Sequence, residues 1–140
     1  VVVRPHAEAD VVATLRCATA HGVGVVPRAA GTNLASGFLP TPEQILLDLR
    51  SLDRVIDIDP ERRVAVVQSG VINAALNTLL APMGLAYSPD PASAPISTIG
   101  GNIAANAGGP HCLKYAATFH HVHVWKGACS WFVNQRPELE

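Results

Sequence analysis

Charge is scarce in this chain, and neither sign is in excess. Ten Lys and Arg stand against 11 Asp and Glu in 140 residues, for a formal net charge of −1. A nucleic-acid groove or an anionic membrane surface needs a concentrated basic patch, and this composition supplies none. Long apolar runs are missing as well. Apolar residues make up 49% of the sequence, but no run nears the ~18 residues of a membrane span, and no secretory signal is expected. Cys17, Cys112 and Cys129 are odd in number and lack C-x-x-C spacing. That argues against a disulfide framework and for a reducing compartment, with cytoplasm as the default.

Several catalytic and nucleotide signatures are absent too. Gly31 and Gly37 are followed by no Lys-Ser/Thr pair, so the phosphate-binding G-x-x-x-x-G-K-[ST] loop is excluded. Gly22 and Gly24 lead into Val25, Val26 and Pro27, which suits a strand better than the helix start a G-x-G-x-x-G turn requires. Ser36, Ser69 and Ser97 lie near glycines, but none sits in G-x-S-x-G, and no nucleophile has a discernible base partner. A hydrolase is set aside.

What is present is concentrated in two stretches. Ser97 to Tyr115, STIGGNIAANAGGPHCLKY, packs Gly100, Gly101, Gly108 and Gly109 around a short apolar turn holding Asn102 and Asn106. Glycine permits close approach and positive φ, and successive N–H groups in such loops cradle anions. The Ala-rich run from Asn102 to Ala107 is expected to make a helical turn whose leading N–H groups point over Gly100 and Gly101. The bland alternative is two tight turns flanking a helix. Upstream, Pro27 to Gly37, PRAAGTNLASG, is a small-residue loop whose Thr, Asn and Ser suit a pyrophosphate. The two stretches are expected to face each other across one cleft.

The length suits one domain with a real core. Val1–Arg4 reads as a buried strand, Ala7–His21 as a helix with the apolar positions Val11, Val12, Leu15 and Ala18 near helical spacing, and Val23–Val26 as a second strand. This β-α-β unit delivers the first loop at a strand end, where open α/β sheets place ligand loops. Ile45–Leu49 is a further strand. Val55–Ile58 and Val64–Gln68 flank the turn Asp59-Pro60-Glu61-Arg62 as a hairpin. Val71–Met83 reads as a helix ended by Pro82 and Gly84, and Tyr87–Ser97 as a rigid, extended, proline- and serine-rich approach to the second loop. Thr118–Trp125 alternates as a strand would, and Trp125–Glu140 has no clear period.

The pair PRAAGTNLASG and PDPASAPISTIGGNIAANAGGPHCLKY resembles the FAD-binding domain of the vanillyl-alcohol-oxidase class, of PCMH type. Within that class it is most similar to the FAD subunit of glycolate oxidase and to D-lactate and D-2-hydroxyacid dehydrogenases. The resemblance covers Val1 to about Val122. It implies an α+β fold comprising the first FAD subdomain (residues 1–80) and the start of the second (81–124), followed by an atypical tail, 125–140. It further implies that Arg28, Ala29, Ala30, Gly31, Thr32, Asn33 and Ser36 contact the FAD pyrophosphate. Pro89, Thr98, Gly100, Gly101, Asn102, Asn106, Gly108 and Gly109 would lie along the rest of the cofactor. Ala29 and Ala116 stand where the family usually has glycine, so each added methyl is expected to push backbone aside or strain a φ > 0 conformation.

The implied activity is FAD-dependent oxidation of a small 2-hydroxy acid in the full-length enzyme, with redox subunits as partners and the cytoplasm, or a membrane periphery, as the setting. Relatives that tether FAD do so from a histidine near the position of Thr32. No histidine lies between Gly22 and Pro110, so noncovalent FAD is implied. Lys114 could stabilise charge on reduced flavin, although a solvated helix-end lysine is the commoner role. His121 and His123 would share one strand face at zinc-ligand spacing, yet no further ligand pair follows, so no metal is expected. The other readings are a non-catalytic remnant of such an enzyme, or a module for another phosphate ligand. By itself the chain is expected not to turn over a hydroxy acid.

Overall fold

The computed structural model describes residues 1–34 and 39–124. Ser36, Cys129 and the segment 125–140 lie outside the described residues.

A parallel three-stranded sheet begins the fold. β1 (Val2–Val3), β2 (Val25–Arg28) and β3 (Ile45–Asp48) are ordered β1-β3-β2, with Val2 opposite Leu46 and Arg28 opposite Asp48. The strand flanked on both sides, β3, is the apolar run, and its Leu46, Leu47 and Asp48 are buried. The expected buried strand over Val1–Arg4 is corrected. Only Val2–Val3 pairs, and Val1 and Val2 are 83% and 59% exposed. β1 is paired on one side only, so a valine-rich run that reads as core forms an edge. Helix α1 (Glu8–Ala20) crosses between β1 and β2, presenting Val11, Thr14, Leu15 and Ala18 as its more buried face. Asp10 Oδ2 accepts from the amides of His6 and Ala7 at 2.9 Å, tying down the helix start and holding its carboxyl below the usual range.

The antiparallel hairpin pairs β4 (Val55–Asp59) with β5 (Val64–Val67). Asp59 Oδ1 accepts from the Arg62 amide at 3.0 Å, and Arg63 takes a left-handed φ of 55° to close the turn. The helix expected over Val71–Met83 is α2 (Asn73–Leu80) followed by a 3₁₀ turn, Ala81–Met83, which Gly84 ends at φ 68°. Val71, Leu76 and Leu80 pack with Ile99 as a buried cluster, against which Val55, Ile58, Ala65, Val67, Leu85, Tyr87 and Ile103 lie. This packing runs across residue 80, joining the hairpin and α2 to the second glycine stretch.

Two further expectations are corrected. The segment after Tyr87 is irregular and extended only to about Asp90. From Pro91 it coils, with Ala94 N donating to Pro91 O and Ser97 N to Ser93 O at 2.7 Å each. Thr118–His121 forms a 3₁₀ turn rather than a strand. A strand needs a neighbouring ladder. Here the local groups are taken otherwise, Thr118 by Ala107 and His121 Nε2 by Tyr115 O.

Candidate functional site

The first loop leaves the sheet at Arg28, beside Asp48 of β3. Ala30, Gly31 and Thr32 make no backbone–backbone hydrogen bond to the other described residues. Gly31 has φ 73°, so the chain turns through the left-handed region and bunches successive amides, the arrangement that forms an anion nest. A Cβ built on Gly31 would lie 2.9 Å from Arg28 Nη2, so the guanidinium folds back over the same turn. A cation and three unengaged amides therefore share one half-buried corner at the C-terminal end of a parallel strand.

That end of the sheet also carries a charge cluster. The buried Asp48 carboxylate accepts from Arg50 Nη2 at 2.6 Å and from Arg4 Nε at 3.2 Å. Its hydrogen bonds with Arg50 hold the carboxyl down to about 2 against the cost of burial. The adjoining depression of about 430 Å³ is lined by Arg4, Asp48, Arg50, Ser51 and Asp53. Two cations there balance two carboxylates.

The second stretch is built differently from expectation. Helix α3 starts at Ile99 and runs to Ala104, so Gly100 and Gly101 lie inside its first turn. The leading amides are already satisfied by the protein. Ile99 N donates to Val71 O and Gly100 N to Ser69 O, each at 2.8 Å. Gly101 N donates to Thr98 Oγ1 at 3.2 Å and Asn102 N to Thr98 O at 2.8 Å. Thr98 is the N-cap, an earlier start signal than the Ala-rich run suggests. The expected row of free N–H groups over Gly100 and Gly101 is thus corrected: the Ser69–Val71 backbone occupies it.

The glycines are accordingly packing devices at close crossings. A Cβ on Gly100 would meet Ser69 Cβ at 2.5 Å, one on Gly108 would meet Cys112 Cβ at 3.0 Å, and one on Gly109 (φ 121°) would run into Asp90. A Cβ on Gly101 would lie 3.1 Å from the Ala29 methyl. That contact brings the two stretches together. Pro89, Thr98 and Asn102 are buried beneath the protein's own atoms, whereas Asn33 and Asn106 are exposed. Asn102 Nδ2 has no hydrogen bond of sound geometry among the described residues, although its carboxamide lies close enough to act on the Tyr87 phenol. Burial raises the phenol, and the Thr118 and Asn102 side chains partly offset it. Asn106 takes φ 46° and accepts from Phe119 N at 2.9 Å.

Around these loops stand residues that the sequence did not single out. Thr118, fully buried, donates from its amide and hydroxyl to Ala107 O at 2.9 and 2.7 Å and accepts from Tyr87 Oη at 3.1 Å. Asp90 is clasped to His111 Nδ1, which holds the carboxyl down, and its amide donates to Gly108 O at 3.0 Å. Ala116 has φ 66° and ψ 178°, a region essentially reserved for glycine, so the strain expected there is present. Ala29 is not at positive φ, and its methyl faces Gly101. Lys114 Nζ sits 4.7 Å over the Tyr115 ring, with its amine raised by the Tyr115 hydroxyl. Among the described residues no group of three His, Cys, Asp or Glu converges on a metal position, and no helix is long and apolar enough to cross a membrane. Cys17 and Cys112 are free thiols.

Residues 1–127 match the model of the FAD binding domain family. The chain is 45% identical over 121 residues to glycolate oxidase subunit GlcD of Escherichia coli K12, covering 86% of this chain and 24% of that protein. It is 36% identical over 122 residues to D-lactate dehydrogenase of Archaeoglobus fulgidus, covering 87% and 27%. D-2-hydroxyglutarate dehydrogenase of Stutzerimonas stutzeri shares 34% over 117 residues, covering 84% and 25%. A solved structure of alkyldihydroxyacetonephosphate synthase superposes with a TM-score of 0.75 at 26% identity, over 83% of this chain and 22% of that one. The chain spans about a quarter of the length of the relatives it matches.

Proposed function

The chain belongs to the FAD binding domain family, and on that premise we propose that it is the FAD-holding portion of a flavin-dependent 2-hydroxy-acid dehydrogenase or oxidase. The observation that carries this reading is the corner at Gly31, where unengaged amides and the Arg28 guanidinium share one turn. Its chemistry fits a pyrophosphate: backbone donors meet the oxygens and a fixed cation offsets their charge. Arg28, Ala29, Ala30, Gly31, Thr32 and Asn33, with Ser36, would hold that group. Gly100, Gly101, Gly108, Gly109 and Asn106 would line the remainder. Pro89, Thr98 and Asn102, being buried, support that wall from behind.

When bound, the flavin supplies the redox chemistry by accepting hydride equivalents from the hydroxy acid. This chain's share is to bind and orient it noncovalently, since Thr32 offers no ring nitrogen for a tether. Residues 1–124 would form the FAD-binding portion. The 2-hydroxy acid, suggested by the relatives' names, and any redox partner subunits belong to the full-length protein. A cytoplasmic setting, or a membrane periphery reached through such partners, goes with the reading.

Titration with FAD, followed by quenching of flavin fluorescence, tests it. The wild-type chain is expected to quench saturably, and ADP is expected to compete. Gly31→Ala strains the left-handed turn and displaces Arg28, so affinity should fall about tenfold or more. Unchanged affinity in that variant, or no quenching by the wild type, overturns the proposal.

A further inference from the structure

The segment Tyr87–Asp90 has no ladder or helix of its own, yet it forms the back of the second loop. Its placement comes from side chains on α2. Asn77 Oδ1 accepts from Tyr87 N at 2.8 Å, while Asn77 Nδ2 donates to Tyr87 O at 3.2 Å and to Asn73 Oδ1 at 3.1 Å. Asn73, 1% exposed, donates from Nδ2 to Pro89 O at 2.9 Å. Asn77 thereby pairs with both backbone groups of one residue, as a neighbouring strand would, and Asn73 continues the ladder to Pro89. The spacing of four residues puts both carboxamides on one helix face. The other end of the loop is held by the same helix through its backbone: Asn73 N donates to Ser97 O at 3.0 Å and Ala74 N to Ala94 O at 3.1 Å.

Onward from this segment, the contacts lead straight to the second glycine pair. Asp90 N donates to Gly108 O, and Tyr87 Oη reaches Thr118, whose own bonds fix Ala107. A shift of Tyr87–Asp90 therefore moves the Ala107–Gly109 wall, whereas the corner at Gly31 has no bond to α2 among those above. We propose that Asn77, with Asn73, is a positioning residue for the flavin-proximal wall of the site: it sets where Gly108 and Gly109 stand without touching the cofactor. The assignment rests on the FAD reading above.

The test separates the two halves of the cofactor. In the full 140-residue chain, Asn77→Ala removes the carboxamide while improving helix propensity, so α2 should persist. FAD affinity is expected to fall about tenfold, and ADP affinity, set at the first loop, to stay within about twofold. Asn77→Asp keeps the acceptor for Tyr87 N but sets a carboxylate oxygen against the acceptors Tyr87 O and Asn73 Oδ1, so FAD affinity should fall at least as far; Asn77→Ser, which keeps a short donor, should fall less and serves if the alanine variant does not fold. A purely structural role would weaken FAD and ADP together, in step with the loss of folded protein on a thermal melt, and would overturn the assignment. Equal FAD affinity in wild type and Asn77→Ala overturns it while leaving the FAD reading intact. No FAD binding by the wild type overturns both.

Discussion

The contact between Ala29 and Gly101 is where the two loops meet, and a substitution cycle can measure it. Gly101→Ala places a methyl 3.1 Å from Ala29 Cβ and 3.3 Å from Thr98 Oγ1. Carbon pairs prefer ~3.5–4.0 Å, so the first loop must retreat by about half an ångström. Two terms then oppose each other in stability. Alanine in a helical turn gains about 0.5–1 kcal/mol over glycine, while overpacking costs about 1–3 kcal/mol. The net is a loss of about 1 kcal/mol, small enough for the chain to stay folded. Cofactor affinity should respond more clearly, falling about tenfold, because the displaced loop is the pyrophosphate corner. Ala29→Gly alone removes the opposing methyl and is expected to tighten FAD binding. Combined with Gly101→Ala it should restore most of the lost affinity, giving a coupling of about 1 kcal/mol, as neighbours in contact show. Flavin fluorescence titrations on the four proteins, with urea unfolding as the stability control, give the cycle. Strictly additive affinities would refute the idea that this contact shapes the site.

Three other outcomes are expected. Ala116→Gly should stabilise the chain by about 1 kcal/mol, since relief of the φ 66°, ψ 178° strain exceeds glycine's entropic cost; a lower urea midpoint would contradict it. Thr118→Val keeps the shape but leaves Ala107 O and Tyr87 Oη short of a partner, costing about 1–2 kcal/mol in the same assay. The Asp48 carboxyl, lowered from 3.8 to about 2, stabilises the fold fully above pH ~4 and loses that contribution as pH falls toward 2. Because both arginines are half exposed or more, it is worth about 1 kcal/mol. Acid unfolding of Asp48→Asn should lack that part of the transition.

How much of this was legible in the sequence depends on the range of the interactions. The β-α-β start, the hairpin at Asp59–Arg62 and the loop after the second strand follow from local periodicity and turn chemistry, which neighbouring residues settle among themselves. The two glycine stretches likewise carry the family resemblance in their residues alone. Tertiary structure decided what those glycines do. Gly100 is required by Ser69, Gly109 by Asp90 and Gly101 by Ala29, contacts made by residues from about twenty to seventy positions away, which no local pattern encodes. It also decided that the leading amides of α3 are satisfied by Ser69, Val71 and Thr98, whereas those of the Gly31 turn make no backbone–backbone hydrogen bond to the other described residues. Val1 and Val2 read as core by composition but lie on an edge, because burial depends on which strands come to flank them. Asn73 and Asn77 read as ordinary helix residues until the chain folds back and sets the carbonyl groups of Tyr87 and Pro89 against them. A side-chain amide shows its role only when the backbone it pairs with has arrived.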